Sequence, residues 1–293
     1  MKKTVLLVVV WGMLTAICFA QDPLPTAPSP RISTQEEIGA EFESVPCKDK
    51  DRLAAVKALF EKMGATPAEI SVEKAGSAEN VVVKIAGASS EEKIVIGAHF
   101  DKTADGCGAI DNWSGVVSIA HMYRTMKSLK PNRTLIFVGF AKEETGMVGS
   151  RTIVDNIKKE EVASYCAMIN IDSLGMAIPQ AADNLSSKSL VEATATIAKE
   201  VGMEFAHANI QGGSDSGPFL GKKIPAITLH GVTSDWQRIL HTSNDIAKNV
   251  KPQSVYLGYR LALMLLAKVD GLPCDAFRET KEDKNAKASK EKK

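Results

Sequence analysis

Two histidines and five acidic residues fall at the ends of short apolar runs or in the loops between them. His99 and Asp101 follow Ile94–Gly97, Glu143 and Glu144 follow Leu135–Ala141, and Asp172 follows Cys166–Ile171. Asp111 precedes the helical stretch that opens at Ser114, and His241 lies in a later loop. Singly, each has an ordinary explanation: a surface histidine, a solvated pair of glutamates, an aspartate capping a helix. Together they supply imidazoles and carboxylates in the mixture that zinc prefers. One ion takes three or four protein ligands, and this set offers five with a glutamate to spare. Two ions about 3.5–4 Å apart, sharing one aspartate, use all five. Such a pair acidifies water, and a neighbouring carboxylate can take the proton as the water attacks a carbonyl.

The elements that must position these groups alternate along the chain. Strands are predicted over Asn80–Ile85, Lys93–Phe100, Thr134–Ala141, Cys166–Ile171 and Ala226–Leu229, each a short run rich in β-branched or aromatic residues. Helices are predicted from Thr34 to about Ser44, where Thr34 and Glu37 have the spacing of a capping box, and from Asp49 to Met63, ending at Gly64. Further helices fall over Ser114–Leu129, Gly149–Lys159, Ser187–Val201 and Pro252–Val269. Ile94-Val95-Ile96 and Leu135-Ile136-Phe137-Val138 are apolar without alternation, so those strands are buried on both faces. The expected fold is a single three-layer α/β/α domain with a mainly parallel, mixed central sheet. In such sheets, sites form beyond the carboxyl ends of the strands, where these acids and imidazoles lie.

Five strings are similar to those of the co-catalytic zinc aminopeptidases, metallopeptidase family 28. They are GAHFD (Gly97–Asp101), AIDNWSG (Ala109–Gly115), KEETGMVGS (Lys142–Ser150), NIDSLGM (Asn170–Met176) and LHTSNDIAKNV (Leu240–Val250), in the family's order. The resemblance implies an aminopeptidase with two zinc ions per chain, acting on peptides with a free N-terminus. It implies Asp111 as the bridging carboxylate, His99 and Asp172 as the other ligands of one zinc, and Glu144 and His241 as those of the second. Glu143 resembles the general base, and Asp101 the carboxylate that orients the His99 imidazole. In Gly213–Phe219, Ser216 stands where many relatives have a histidine. Glutaminyl cyclases resemble the same strings but use a single zinc, and a non-catalytic binding homologue is a third reading. The intact ligand set favours the peptidase.

The ends of the chain read differently. Lys2 and Lys3, the apolar run Val5–Ile17 and small residues before Gln21 describe a signal peptide over residues 1–20, so an exported protein, periplasmic or secreted, is expected. The run is shorter than the ~20 residues of a spanning helix, and no second span occurs, so stable membrane insertion is not expected. Residues 21–31 carry four prolines and read as an extended lead-in to a catalytic domain over 32–278; residues 279–293 read as a charged, disordered tail. The balance of 36 basic and 35 acidic residues gives no field for nucleic acid. Cys47, Cys107, Cys166 and Cys274 lack metal-ligand spacing and suit disulfides in an exported chain, with a Cys47–Cys274 clasp between the domain's ends as the expected pair. Gly212–Gly217 lacks the Gly-x-Ser-x-Gly of a nucleophile elbow. His121 and His230 read as structural, His207 matches no ligand motif, and Asp245 reads as a brace for the loop of His241. Trp113, Phe219 and Trp236 are candidates for a side-chain pocket or for packing.

Overall fold

Residues 30–279 are described by a computed structural model; the expectations for the signal segment, most of the lead-in and the tail past residue 279 fall outside the described residues. The chain begins with helices α1 (Gln35–Ala40) and α2 (Asp49–Lys62), then strands β1 (Ile70–Ala75), β2 (Ala78–Ile85) and β3 (Ser89–His99). Helix α3 (Ser114–Leu129), β4 (Arg133–Phe140), α4 (Val148–Asn156), β5 (Tyr165–Ile171) and β6 (Gln180–Ala182) follow. Helix α5 (Lys188–Glu200), β7 (Ala206–Ala208), α6 (Ser216–Gly221), β8 (Ala226–His230) and α7 (Pro252–Gly271) complete the order. The eight strands form one sheet in the order β1-β2-β4-β3-β5-β8-β6-β7. Its centre, β4-β3-β5-β8, is parallel, whereas β1/β2, β2/β4 and β6/β8 pair antiparallel.

Alternate residues of the central strands feed two cores. Ile94, Ile96, Leu135, Phe137, Ile169 and Ile227 point to the larger, covered by α2, α3, α5 and α7. Val95, Val138, Phe140, Met168 and Ala226 point to the smaller, covered by Val154 of α4 and Phe219 of α6. Both faces are therefore buried, as the unalternating apolar runs require. The order also places a switch point: from β3 the chain moves to β4 on one side, and after β5 it moves to β8 on the other. The crevice between β3 and β5 opens at their carboxyl ends.

Local chemistry explains most boundaries. Thr34 Oγ1 accepts from the Glu37 N–H at 3.2 Å while Glu37 Oε2 accepts from the Thr34 N–H at 3.0 Å, the reciprocal capping box. Helix α1 ends at Ala40, earlier than expected, and residues 41–44 continue only as turns. Gly64, with φ +96, closes the turn after α2. Glu37 also holds Arg124 of α3 in a fork of 2.7 and 3.1 Å. Arg124, then the Thr34 N–H, hold its carboxyl at about 2, below the ordinary 4.5. A depressed carboxylate stabilises the fold above its ordinary value and loses that contribution as pH falls toward 2. Glu37→Gln should therefore show a shallower loss of stability than the parent between pH 5 and 3, read from urea midpoints.

The disulfides correct the expected clasp. Cys47 pairs with Cys107, and Cys166 with Cys274. Cys47 lies just ahead of α2, whose Arg52 donates to the carbonyls of Pro46, Cys107 and Gly108 at the carboxyl edge of the sheet. Cys274 follows α7, whose end packs on Asn132 and Arg133 at the opposite edge, beside the start of β5. The two ends of the domain thus lie at opposite edges of the sheet, too far apart to be joined.

Candidate metal centre and cleft

The switch-point crevice gathers the acids and imidazoles. His99 is the last residue of β3 and Asp172 follows β5 directly, so they face each other across the crevice. Asp111 enters from a kinked turn at Ala109–Trp113 between β3 and α3, where it and Asn112 depart from helical backbone angles. Gly108, with φ +56, starts that turn; a Cβ there would stand 2.7 Å from the Asp111 carbonyl. Asn112, fully buried, fixes the turn to the end of β5: its Nδ2 donates to the Ile171 carbonyl at 2.9 Å, and its Oδ1 accepts from Ser173 N–H at 3.1 Å. That burial leaves no room for a glycan on its Asn-x-Ser triplet. Non-glycine residues with positive φ occur at Lys142, Ser173 and His241, each at the site or beside one of its residues. Such conformations persist only where the surroundings enforce them.

Asp111 divides its two oxygens between the histidines. Its Oδ1 lies 3.1 Å from His99 Nε2 and its Oδ2 3.0 Å from His241 Nε2. His99 Nε2 is also 3.5 Å from Asp172 Oδ1, and His241 Nε2 is 3.3 Å from Glu144 Oε2. Two triads result, His99–Asp111–Asp172 and Asp111–Glu144–His241, each with ligand atoms within 4.8 Å of one another. Tetrahedral zinc with bonds of 2.0–2.1 Å separates its ligands by about 3.3 Å, the spacing found here. The donor set fits the ion in chemistry as well. Glu144 Oε1 is buried without a hydrogen-bond partner, a group that a cation would satisfy. A third cluster, Glu92–Cys166–Cys274, has both its thiols committed to a disulfide.

The electrostatics of the protein alone point the same way. Burial, together with the Asp172, Asp215 and Asp111 carboxylates, pushes the Glu143 carboxyl up to about 9 against the pull of His99. Burial and Asp111 push Glu144 up to about 7. The Asp111 carboxylate, leading the causes, raises His241 to about 9. Crowded acids that resist ionisation and imidazoles that retain protons are what an anionic cage does without cations.

Asp101 supports both sides of the cleft. Its carboxylate is 3.4 Å from His99 Nδ1, which turns Nε2 toward Asp111 and Asp172. The same carboxylate accepts the N–H groups of Glu143 at 3.0 Å and Glu144 at 3.2 Å. Asp245 braces the loop of His241 by tying it to the Asp111 turn: its two oxygens accept the N–H groups of Ile110 and Asp111 at 2.7 and 3.0 Å. Two groups carry no recognisable sequence signal. Ser214 donates to Asp172 Oδ2 at 2.6 Å and accepts from Asn170. Arg52, fully buried, braces the 107–108 turn and lies over the Trp113 ring at 5.3 Å.

The centre opens into a cleft of about 460 Å³. Trp236 lines it, whereas Trp113 and Phe219 are packed in the two cores. Ser216 is spent inside the fold, bonded to Thr228 Oγ1 at 2.7 Å and the Leu185 carbonyl at 2.9 Å. His121 bonds Ser33 at 2.7 Å within the fold, and His207 pairs with Asp183 at 3.1 Å. His230, at the end of β8, lines the cleft.

Comparison with known proteins agrees with this geometry. Aminopeptidase YwaD of Bacillus subtilis (strain 168) is 28% identical over 132 residues, which are 43% of this chain and 29% of YwaD. The chain thus spans less than a third of that curated relative. The LapA aminopeptidase of Legionella pneumophila shares the fold at a TM-score of 0.66 and 24% identity, over 84% of this chain and 77% of LapA. A glutaminyl cyclase from an Acidobacteriales bacterium shares it at 0.68 and 15%, over 86% of this chain and 99% of the cyclase. The model of peptidase family M28 matches residues 80–265. That match runs from the strand beside β4 into the last helix and takes in every member of both triads, and the chain belongs to peptidase family M28.

Proposed function

We propose that this chain is an exported di-zinc aminopeptidase that removes the N-terminal residue of peptides. The observation that carries the reading is the pair of triads sharing Asp111, since one ion would leave the second triad without a purpose. His99 and Asp172 would hold one zinc, Glu144 and His241 the other, and Asp111 would serve both. Bound zinc supplies Lewis acidity, polarising the scissile carbonyl and bringing the pKa of water toward neutrality. Glu143 belongs to neither triad yet lines the same cleft, and it acts as the general base. It takes one proton from the attacking water as the C–O bond forms, and returns it to the departing nitrogen as the C–N bond breaks. Asp101 holds the Glu143 backbone and the His99 ring in register for this exchange. The substrate's free terminal amine would be held at the same centre, which restricts attack to the first peptide bond. Export is supported by the signal-like N-terminus and by two disulfides.

The fold is shared with a glutaminyl cyclase, so chemistry has to separate the two readings. The test is zinc content measured on the same sample as turnover. Two zincs per chain, release of amino acids from aminoacyl-nitroanilides, and loss of release on chelation with recovery on zinc addition are expected. One zinc with pyroglutamate formed from glutaminyl peptides would assign the cyclase. Zinc binding with no turnover of either substrate would leave a binding protein.

A further inference from the structure

The cleft contains a polar pair that the hydrolytic reading does not use. In the antiparallel register of β6 and β8, Gln180 stands directly opposite His230. Directly opposed residues project to the same face of a sheet, their Cβ atoms about 4.5–5.5 Å apart. Both side chains line the cleft. His230 is 2% exposed, and neither ring nitrogen has a hydrogen-bond partner among the described residues. The Ala181 backbone carbonyl lies near enough to face one ring N–H, and the Asp172 and Asp183 carboxylates act on the ring through space. Gln180 Nε2 donates to the Val232 carbonyl at 2.9 Å, and Oε1 has no hydrogen-bond partner among the described residues.

An unpartnered imidazole at this depth is costly unless something completes it. A neutral ring offers one N–H and one lone pair. Once the N–H faces Ala181, the lone pair and Gln180 Oε1 form a pair of acceptors. The walls beside them are apolar, from Ile210, Val232, Trp236 and Leu240. Apart from the residues of the metal centre, no Asp, Glu, Lys or Arg among the described residues lines the cleft. The carboxylates that a cationic side chain would meet among the lining residues all belong to the metal centre, not to this wall.

We infer that Gln180 and His230 are specificity-determining residues that select an N-terminal side chain with an apolar stem and an uncharged hydrogen-bond donor at its tip. The inference rests on the peptidase reading: with the terminal amine held at the metal centre, the first side chain is the one that reaches this wall. A site built to bond a donor rejects the isostere that lacks it, because its own acceptors are left unpaired.

The test uses zinc-loaded full chain and two matched pairs, tyrosine against phenylalanine and asparagine against leucine. Each is supplied as the amino acid hydroxamate for binding, by calorimetry, and as the nitroanilide for turnover. In at least one pair the donor-bearing member should bind, and turn over by kcat/KM, at least tenfold better than its isostere. In Gln180→Met and in His230→Phe, that ratio should fall toward 1. If His230→Phe fails to fold, Gln180→Met carries the test alone. Equal or better binding of the apolar member in both pairs overturns the inference. So does a donor preference that survives in Gln180→Met. A donor preference in hydroxamate binding with no nitroanilide turnover would support this assignment and sink the peptidase reading instead.

Discussion

Glu143→Ala should leave both zincs in place and slow the release of N-terminal residues by about 10³-fold, within the range that a general base contributes. The two effects separate because the side chain belongs to neither triad. Its backbone is fixed independently, by the N–H bond to Asp101, so truncation of the side chain leaves the Glu144 segment anchored. Burial first, and then neighbouring carboxylates, raise Glu143 to about 9 in the protein without cations. A carboxyl held in that environment binds a proton readily, which suits a group that must store one between attack and departure. Cations in the two triads would oppose the carboxylate repulsion and bring its proton affinity back toward working pH. Glu143→Gln keeps the volume and removes the proton acceptor, so it should lose as much turnover as alanine. The measurements are zinc content per chain and kcat on one nitroanilide substrate. Turnover within tenfold of the parent in either variant would refute the assignment of the base.

The residue types at the strand exits were legible because a buried parallel strand is conspicuous and whatever polar residue follows it stands out. His99, Glu143, Glu144 and Asp172 all gain their visibility from such runs. Elements without that contrast escaped. Strand β1 is an edge strand with mostly exposed residues, and ISVEKA carries too few apolar positions to signal one. Strands β6 and β7 have three residues each, and α6 begins with Ser-Gly-Pro. Pairings over long separations were equally hidden. Nothing local says that Cys107 meets Cys47, that Asp245 reaches the Asp111 turn, or that Gln180 faces His230. Those contacts depend on which edge of the sheet each loop occupies and on the register of β6 against β8. Arg52 is the sharpest case. A helical arginine reads as solvated, yet it is enclosed because several carbonyls at the sheet edge converge on it.

Asp111→Ala should do what Glu143→Ala does not, and remove metal together with activity. It is the one residue common to both triads, so truncation leaves each with two ligands. Affinity should fall on the order of 10²-fold or more, beyond the 10–100-fold typical of a supporting residue that only orients a ligand. Asp111→Asn offers a single acceptor oxygen where the carboxylate offers two, so it can serve one triad or the other. The triads are unequal: the His99 side chain is 2% exposed and the His241 side chain 50%. The ion at the buried triad should therefore be the one that Asn retains, while the ion at the mouth exchanges freely with solvent. Zinc loading and dialysis against metal-free buffer, followed by zinc analysis, should then give two zincs per chain in the parent, about one in Asp111→Asn and fewer in Asp111→Ala. Asp245→Ala tests the same turn from behind, because the Ile110 and Asp111 N–H groups lose their acceptor while every ligand remains. A parent-like zinc content in Asp111→Ala would mean that the two histidines are not joined through this carboxylate, and the shared centre would fall with it.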